Sequence, residues 1–134
     1  MTKKELLKHL QNDVYCRIGV SKIHGVGVIA IRDIPKGTNP FSGSFKGKYI
    51  AVDKKEILQF PEGVQKMIHD FFAHEKNKVY IPENGLNNID ISFFLNQTDS
   101  PNVATHDGDI FITTRNIKKG EELSVDYTTY DDNS

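Results

Sequence analysis

An apolar run that breaks into amides is the first place in this chain where chemistry could be done. Phe93-Phe94-Leu95 leads directly into Asn96-Gln97-Thr98-Asp99-Ser100-Pro101-Asn102. The first three residues read as the end of a core strand. Asp99, Ser100 and Pro101 read as a turn, because proline fixes φ and asparagine tolerates the left-handed region. A core element ending in amides beside a tight turn can present side-chain and backbone hydrogen bonds to a ligand. An ordinary asparagine-rich turn uses the same residues, so this stretch alone leaves both readings open.

Two further segments carry residues of the same kind. His24-Gly25-Val26-Gly27 runs into the strand-like Val28-Ile29-Ala30-Ile31. A dinucleotide fingerprint would need a third glycine and a helix beginning inside the motif, and here position 30 is alanine. What survives is that glycine lets backbone approach a ligand or another strand closely. A hairpin or bulge would use the glycines equally well. Near the end, Gly120-Glu121-Glu122-Leu123-Ser124-Val125-Asp126-Tyr127 reads as a turn and a final strand.

Composition narrows the chemistry. A length of 134 residues fits one domain, and 37% apolar with 26% charged residues fits a soluble globular protein. A formal charge of -1 provides no electrostatic footprint for nucleic acid. The single cysteine, Cys16, excludes an internal disulfide framework and a cysteine-built zinc site. His69 and His74 have no partner at ligand spacing, so no metal is expected. No apolar run nears membrane-spanning length and no signal peptide is expected, so no membrane role is expected. A reducing intracellular compartment follows, with cytoplasm and nucleus not distinguished.

The elements that must position these segments are mostly short strands. Residues 2–11 are expected to be helical: Thr2 and Glu5 have capping-box spacing, and Leu6, Leu7 and Leu10 form a stripe to pack on the domain or on a partner. From Val14 onwards, Val14, Cys16 and Ile18 alternate. Residues 38–52 are expected to hold a strand pair around Phe41, Phe45, Tyr49 and Ile50. Residues 53–60 and 62–74 read as two helices parted by Pro61, the second with a core stripe of Val64, Met67, Ile68, Phe71 and Phe72. Val79 to Ile81, Ile110 to Thr114 and Leu123 to Val125 complete the strands. Ile34-Pro35-Lys36-Gly37 and Ile117-Lys118-Lys119-Gly120 are two turns of one style. The result is a mainly β, α+β domain over 14–134, with a helical insert at about 53–75 and a helical extension at 1–13.

The glycine segment, the Asn96–Asn102 stretch and the Gly120–Tyr127 strand, in that order, resemble the SET-domain family of protein-lysine methyltransferases. Members show GxG leading into a strand, then Asn-His-Ser-x-x-Pro-Asn, then Gly-Glu-Glu-Leu-x-x-Asp-Tyr. The resemblance implies a β-clip-like fold of small curved sheets with a C-terminal pseudoknot. It implies S-adenosyl-L-methionine as cofactor, held by His24, Gly25, Val26, Gly27, Asn96, Gln97 and Tyr127. Tyr127 would be the catalytic tyrosine, and Phe41, Phe94 and Tyr130 would line the substrate channel. The partner implied is a protein or peptide bearing a lysine, a histone tail among them, with a homodimer as one way to close the channel. Gln97-Thr98 stands where the family has His-Ser, and Phe41 stands where many members have a tyrosine. Those departures support an alternative, a SET-like module that binds peptide or cofactor with little turnover.

Overall fold

The computed structural model describes residues 2–42, 48–72, 74–105 and 110–129. Helix α1 (Lys3–Asn12) begins as its sequence requires, with the Thr2 hydroxyl accepting the Glu5 N–H at 3.1 Å. None of its residues is buried, and Leu6, Leu7 and Leu10 remain exposed, so the stripe does not pack on the domain. The Arg32 guanidinium ties down its last turn, donating to the Gln11 carbonyl at 3.1 Å while it lies over the Tyr15 ring.

The chain then runs through β1 (Cys16–Val20), β2 (Val26–Ala30), β3 (Tyr49–Asp53), α2 (Lys54–Ile57), α3 (Glu62–Phe71), β4 (His74–Glu75) and β5 (Lys78–Pro82). A 3-10 turn at Ile91–Phe94 leads into β6 (Asn96–Gln97), β7 (Val103–Thr105), β8 (Phe111–Thr113) and β9 (Glu122–Val125), and a second 3-10 turn closes at Tyr127–Thr129. The principal sheet has the order β1-β2-β9-β6, and its β6–β9 pair is parallel. A second sheet has the order β3-β5-β4, and β7 pairs with β8. The sheets are small, as expected for a mainly β domain.

Two apolar cores lie beneath them. The larger includes Val28, Ile34, Leu95, Ile117, Leu123 and Val125, and the smaller joins Ile57, Ile68, Phe72 and Val79. In β9 the expected alternation gives way to three buried residues in succession, Leu123, Ser124 and Val125. That strand has a neighbour on each side in the sheet and core against its faces, so a small hydroxyl is buried with its apolar neighbours.

The two similar turns prove to be partners. Ile34 and Ile117 exchange both backbone hydrogen bonds, at 2.7 and 2.8 Å. The Asn116 side chain accepts from the Lys36 N–H at 2.8 Å, and the Asp33 side chain accepts from the Lys119 N–H at 2.9 Å. Gly37 and Gly120 end the respective turns with φ of 82° and 93°. Each turn caps the other across an approximate two-fold arrangement, anchoring the N-terminal hairpin to the strand that carries the C-terminal motif.

Several expected elements differ. Residues 53–60 are helical only at Lys54–Ile57; an Asp53–Glu56 capping box starts that turn, and Gln59 and Phe60 then fall into i to i−3 bonding ahead of Pro61. Helix α3 stops at Phe71, because Phe72 is extended at φ −119°, and His74 is already in a strand. Of the pair expected in 38–52, the described part is β3, which pairs with β5; residues 38–42 are not strand, and residues 43–47, Phe45 among them, lie outside the described residues. Ile91–Phe94 is a 3-10 turn, where a strand was expected, because Asp90 caps it by accepting the Ser92 N–H at 2.9 Å. The turn splits its two phenylalanines, Phe93 packing on the smaller core and Phe94 on the larger, and the Phe94 ring also meets Phe71 of the smaller core's rim at 5.3 Å.

Candidate active site

Asn96 stands at the centre of the site. It opens β6, paired with Ser124 of β9, and its amide reaches across to the loop that joins β1 to β2. There Nδ2 lies 3.1 Å from the His24 carbonyl, 3.0 Å from the Val26 carbonyl and 3.0 Å from Glu122 Oε2. Every one of those neighbours is an acceptor, which orients the amide with its nitrogen toward the loop. Its Oδ1 takes no hydrogen bond among the described residues and is the acceptor the group has left to offer.

The loop is held from beneath by a carboxylate. Glu122 accepts the Ser21 hydroxyl proton, both oxygens lying 2.8 Å from Oγ, and also the Lys22 N–H at 3.3 Å. Ser21 Oγ in turn accepts the N–H groups of Ile23 at 2.9 Å and His24 at 3.0 Å. Gly27 makes the arrangement possible. A Cβ there would stand 3.0 Å from both Asn96 Nδ2 and the Glu122 carboxyl carbon, and closer still to Oε2. Hydrogen at this position lets strand β2, the amide and the carboxylate meet.

On the other side of Asn96, Gln97 reaches the end of β9. Its Oε1 accepts the Tyr127 N–H, and its Nε2 donates to Asp126 Oδ1 at 3.2 Å. The Tyr127 hydroxyl donates to the Leu95 carbonyl, and its ring packs against the larger core. Asp126 is held below the ordinary carboxylate range, first by the Thr128 hydroxyl, then by the Thr128 N–H and the Gln97 amide. Asn102 is buried and sutures the crossing: its Oδ1 accepts the Ser124 N–H and its Nδ2 donates to the Glu122 carbonyl, each at 2.9 Å. Three segments distant in sequence are thereby joined side chain to backbone at one place.

The sequence matches the SET domain family over residues 25–128. The chain belongs to the SET-domain family. It is 31% identical over 132 residues to the Drosophila melanogaster histone-lysine N-methyltransferase trr, covering 92% of this chain. The chain spans 5% of that relative's length. A Plasmodium falciparum crystal structure, of a protein described as a candidate histone methyltransferase, superposes with a TM-score of 0.53 at 19% identity. That superposition covers 85% of this chain and 93% of the other, and it shows the mainly β SET fold.

Within this SET domain, His24, Gly25, Val26, Gly27, Asn96, Gln97 and Tyr127 are brought into one cluster. His24 participates through its backbone, its residue being exposed. Phe94 borders the same cluster, next in sequence to Leu95. Phe41 lies in the larger core, edge-on to Phe111 at 5.7 Å. Tyr130 lies outside the described residues. Sequence reasoning passed over Ser21 and Glu122, the two residues that organise the loop. Glu122 was visible as part of Gly-Glu-Glu-Leu, but only the register Ile29 to Glu122 aims it at the β1–β2 loop. Among the described residues no group of three or more possible ligands gathers for a metal, and no helix is long and apolar enough to cross a membrane.

Proposed function

We propose that this domain is an S-adenosylmethionine-dependent protein-lysine N-methyltransferase. The observation that carries the reading is the Asn96 amide holding the His24 and Val26 carbonyls while Tyr127 is bonded to Leu95 next door. The residues present suit the cofactor. Main-chain groups of His24 to Val26 form an exposed cradle, and nothing lies within 4 Å of where a Cβ on Gly25 would stand. The free Oδ1 of Asn96 suits an amino group, and the backbone of Gln97 lies beyond it in the same strand. The cofactor, when bound, supplies a methyl already activated by a sulfonium.

The protein's share of the work is positioning. Tyr127 offers oxygen to polarised C–H groups at the methyl, a weak contact made useful by its fixed place. Phe94 and the Tyr127 ring give apolar walls that suit a lysine stem. Free lysine titrates near pH ~10.4, so a dry apolar channel favours the neutral amine that can attack. Tyr130 would complete that channel, with a second subunit as another source of closure. The parallel β6–β9 pair, sutured by Asn102, supports the family's C-terminal pseudoknot. The substrate class is a lysine-bearing protein, and the relative's name makes a histone tail the first to test.

Incubation with S-adenosylmethionine and purified histones, read by mass spectrometry for added methylene masses, tests the activity. Methylated lysine supports it. Absence of both cofactor binding and methylation overturns it. Cofactor binding without transfer favours the second reading, a SET-like binding module, for which the engaged Gln97 and the hydroxyl-free Phe41 speak.

A further inference from the structure

We propose that Glu122 is a positioning residue for the cofactor, presetting the Lys22–Val26 loop through Ser21. The inference rests on the methyltransferase reading of the site. Every residue from Lys22 to Val26 is exposed, so packing does not order this loop. Its order comes from hydrogen bonds: the Ser21 N–H donates to the Gly25 carbonyl at 2.9 Å, Asn96 holds the His24 and Val26 carbonyls, and a third set of contacts runs through Glu122. The Glu122 carboxylate takes the Ser21 proton and the Lys22 N–H, and the Ser21 oxygen takes the N–H groups of Ile23 and His24. The other neighbours of Ser21 Oγ are donors, so its single proton has one place to go, the carboxylate. The same carboxylate meets Asn96 Nδ2 at 3.0 Å, so loop and amide are set by one group.

This geometry needs an acceptor-only side chain. A glutamine at 122 keeps one acceptor for Ser21 but turns its NH2 toward Lys22 N–H or Asn96 Nδ2, both of them donors only. The loop would then have to be ordered at the moment of binding, which weakens affinity without touching the reacting atoms.

The test uses calorimetric titration of the full chain with S-adenosylmethionine and S-adenosylhomocysteine, with amide hydrogen exchange of the unliganded protein. Glu122→Gln and Ser21→Ala are each expected to weaken binding at least about tenfold, the scale of losing a charge-assisted hydrogen bond. Ser21→Thr, which keeps the hydroxyl, should retain affinity. The amides of Lys22, Ile23 and His24 should lose protection in the two weak variants. KM for the cofactor should rise while kcat at saturating cofactor and KM for the lysine substrate stay near wild type. Wild-type affinity and exchange in both Glu122→Gln and Ser21→Ala overturn the inference alone. A wild-type chain that binds neither ligand overturns the methyltransferase reading and this inference with it. Should Glu122→Gln fail to fold, Ser21→Ala still decides the matter.

Discussion

The Tyr127 hydroxyl donates to the carbonyl of Leu95, the residue that immediately precedes Asn96. Gln97, the residue that follows Asn96, accepts the Tyr127 N–H. One tyrosine is therefore gripped on both sides of the central amide, which fixes its ring and its hydroxyl relative to the glycine loop. Five consequences can be measured.

Tyr127→Phe removes the hydroxyl and leaves the Leu95 carbonyl without that donor. Thermal or urea unfolding should report a loss of about 0.5–1.5 kcal/mol. Methyl transfer should fall by about two orders of magnitude, the usual scale for one preorganised polar group at a reacting centre. Unchanged activity would remove Tyr127 from the site.

Gly27→Ala forces a methyl into the contact between Glu122 and Asn96. The carboxylate is not free to swing aside cheaply, because Ser21 and Lys22 hold it. Overpacking of this kind costs about 1–3 kcal/mol in unfolding experiments. Cofactor affinity should fall as well.

Gln97→Glu replaces the donor that faces Asp126 with a second carboxylate. The melting temperature should drop at neutral pH, and the difference from wild type should shrink in acid as the pair takes up a proton. A melting temperature equal to wild type at every pH would show that the Gln97 contact carries no weight.

Acid should destabilise the protein through Asp126 and Glu121. Both are held below their ordinary values of 3.8 and 4.5, Asp126 mainly by Thr128 and Glu121 mainly by the Lys118 N–H with help from Arg115. A depressed folded value means the contribution is complete above the ordinary value and disappears as pH falls through the lower, folded one. Melting temperatures of Asp126→Asn and Glu121→Gln should therefore depend less steeply on pH through that acidic window than those of wild type.

The leucines of α1 should matter little to stability. Serine at Leu6, Leu7 or Leu10 is expected to change unfolding free energy by about 0.5 kcal/mol or less, since none is buried. Leu123→Ala, from a residue with no exposed surface, should cost about 2–5 kcal/mol. Comparable losses at α1 would show that its stripe is covered in solution.

Much was legible before any coordinates because it depends on local chemistry. Thr2 and Glu5 start α1 through a hydroxyl three residues from an amide, and Gly37 and Gly120 end turns that need positive φ. The ordered appearance of His24–Gly27, Asn96–Asn102 and Gly120–Tyr127 pointed to the family and to three segments that the fold brings together. Tertiary structure decided what local pattern cannot express. Whether Leu6 is buried depends on what lies opposite it, and the partner of β3 is a strand that follows two helices. Ser21 and Glu122 look like any solvated polar residues in the sequence. They become the framework of the site only because β2 pairs with β9 and the hydrogen of Gly27 leaves room for a carboxylate. Residue types and spacing thus pointed to the family, while long-range register selected the groups that hold the candidate site together.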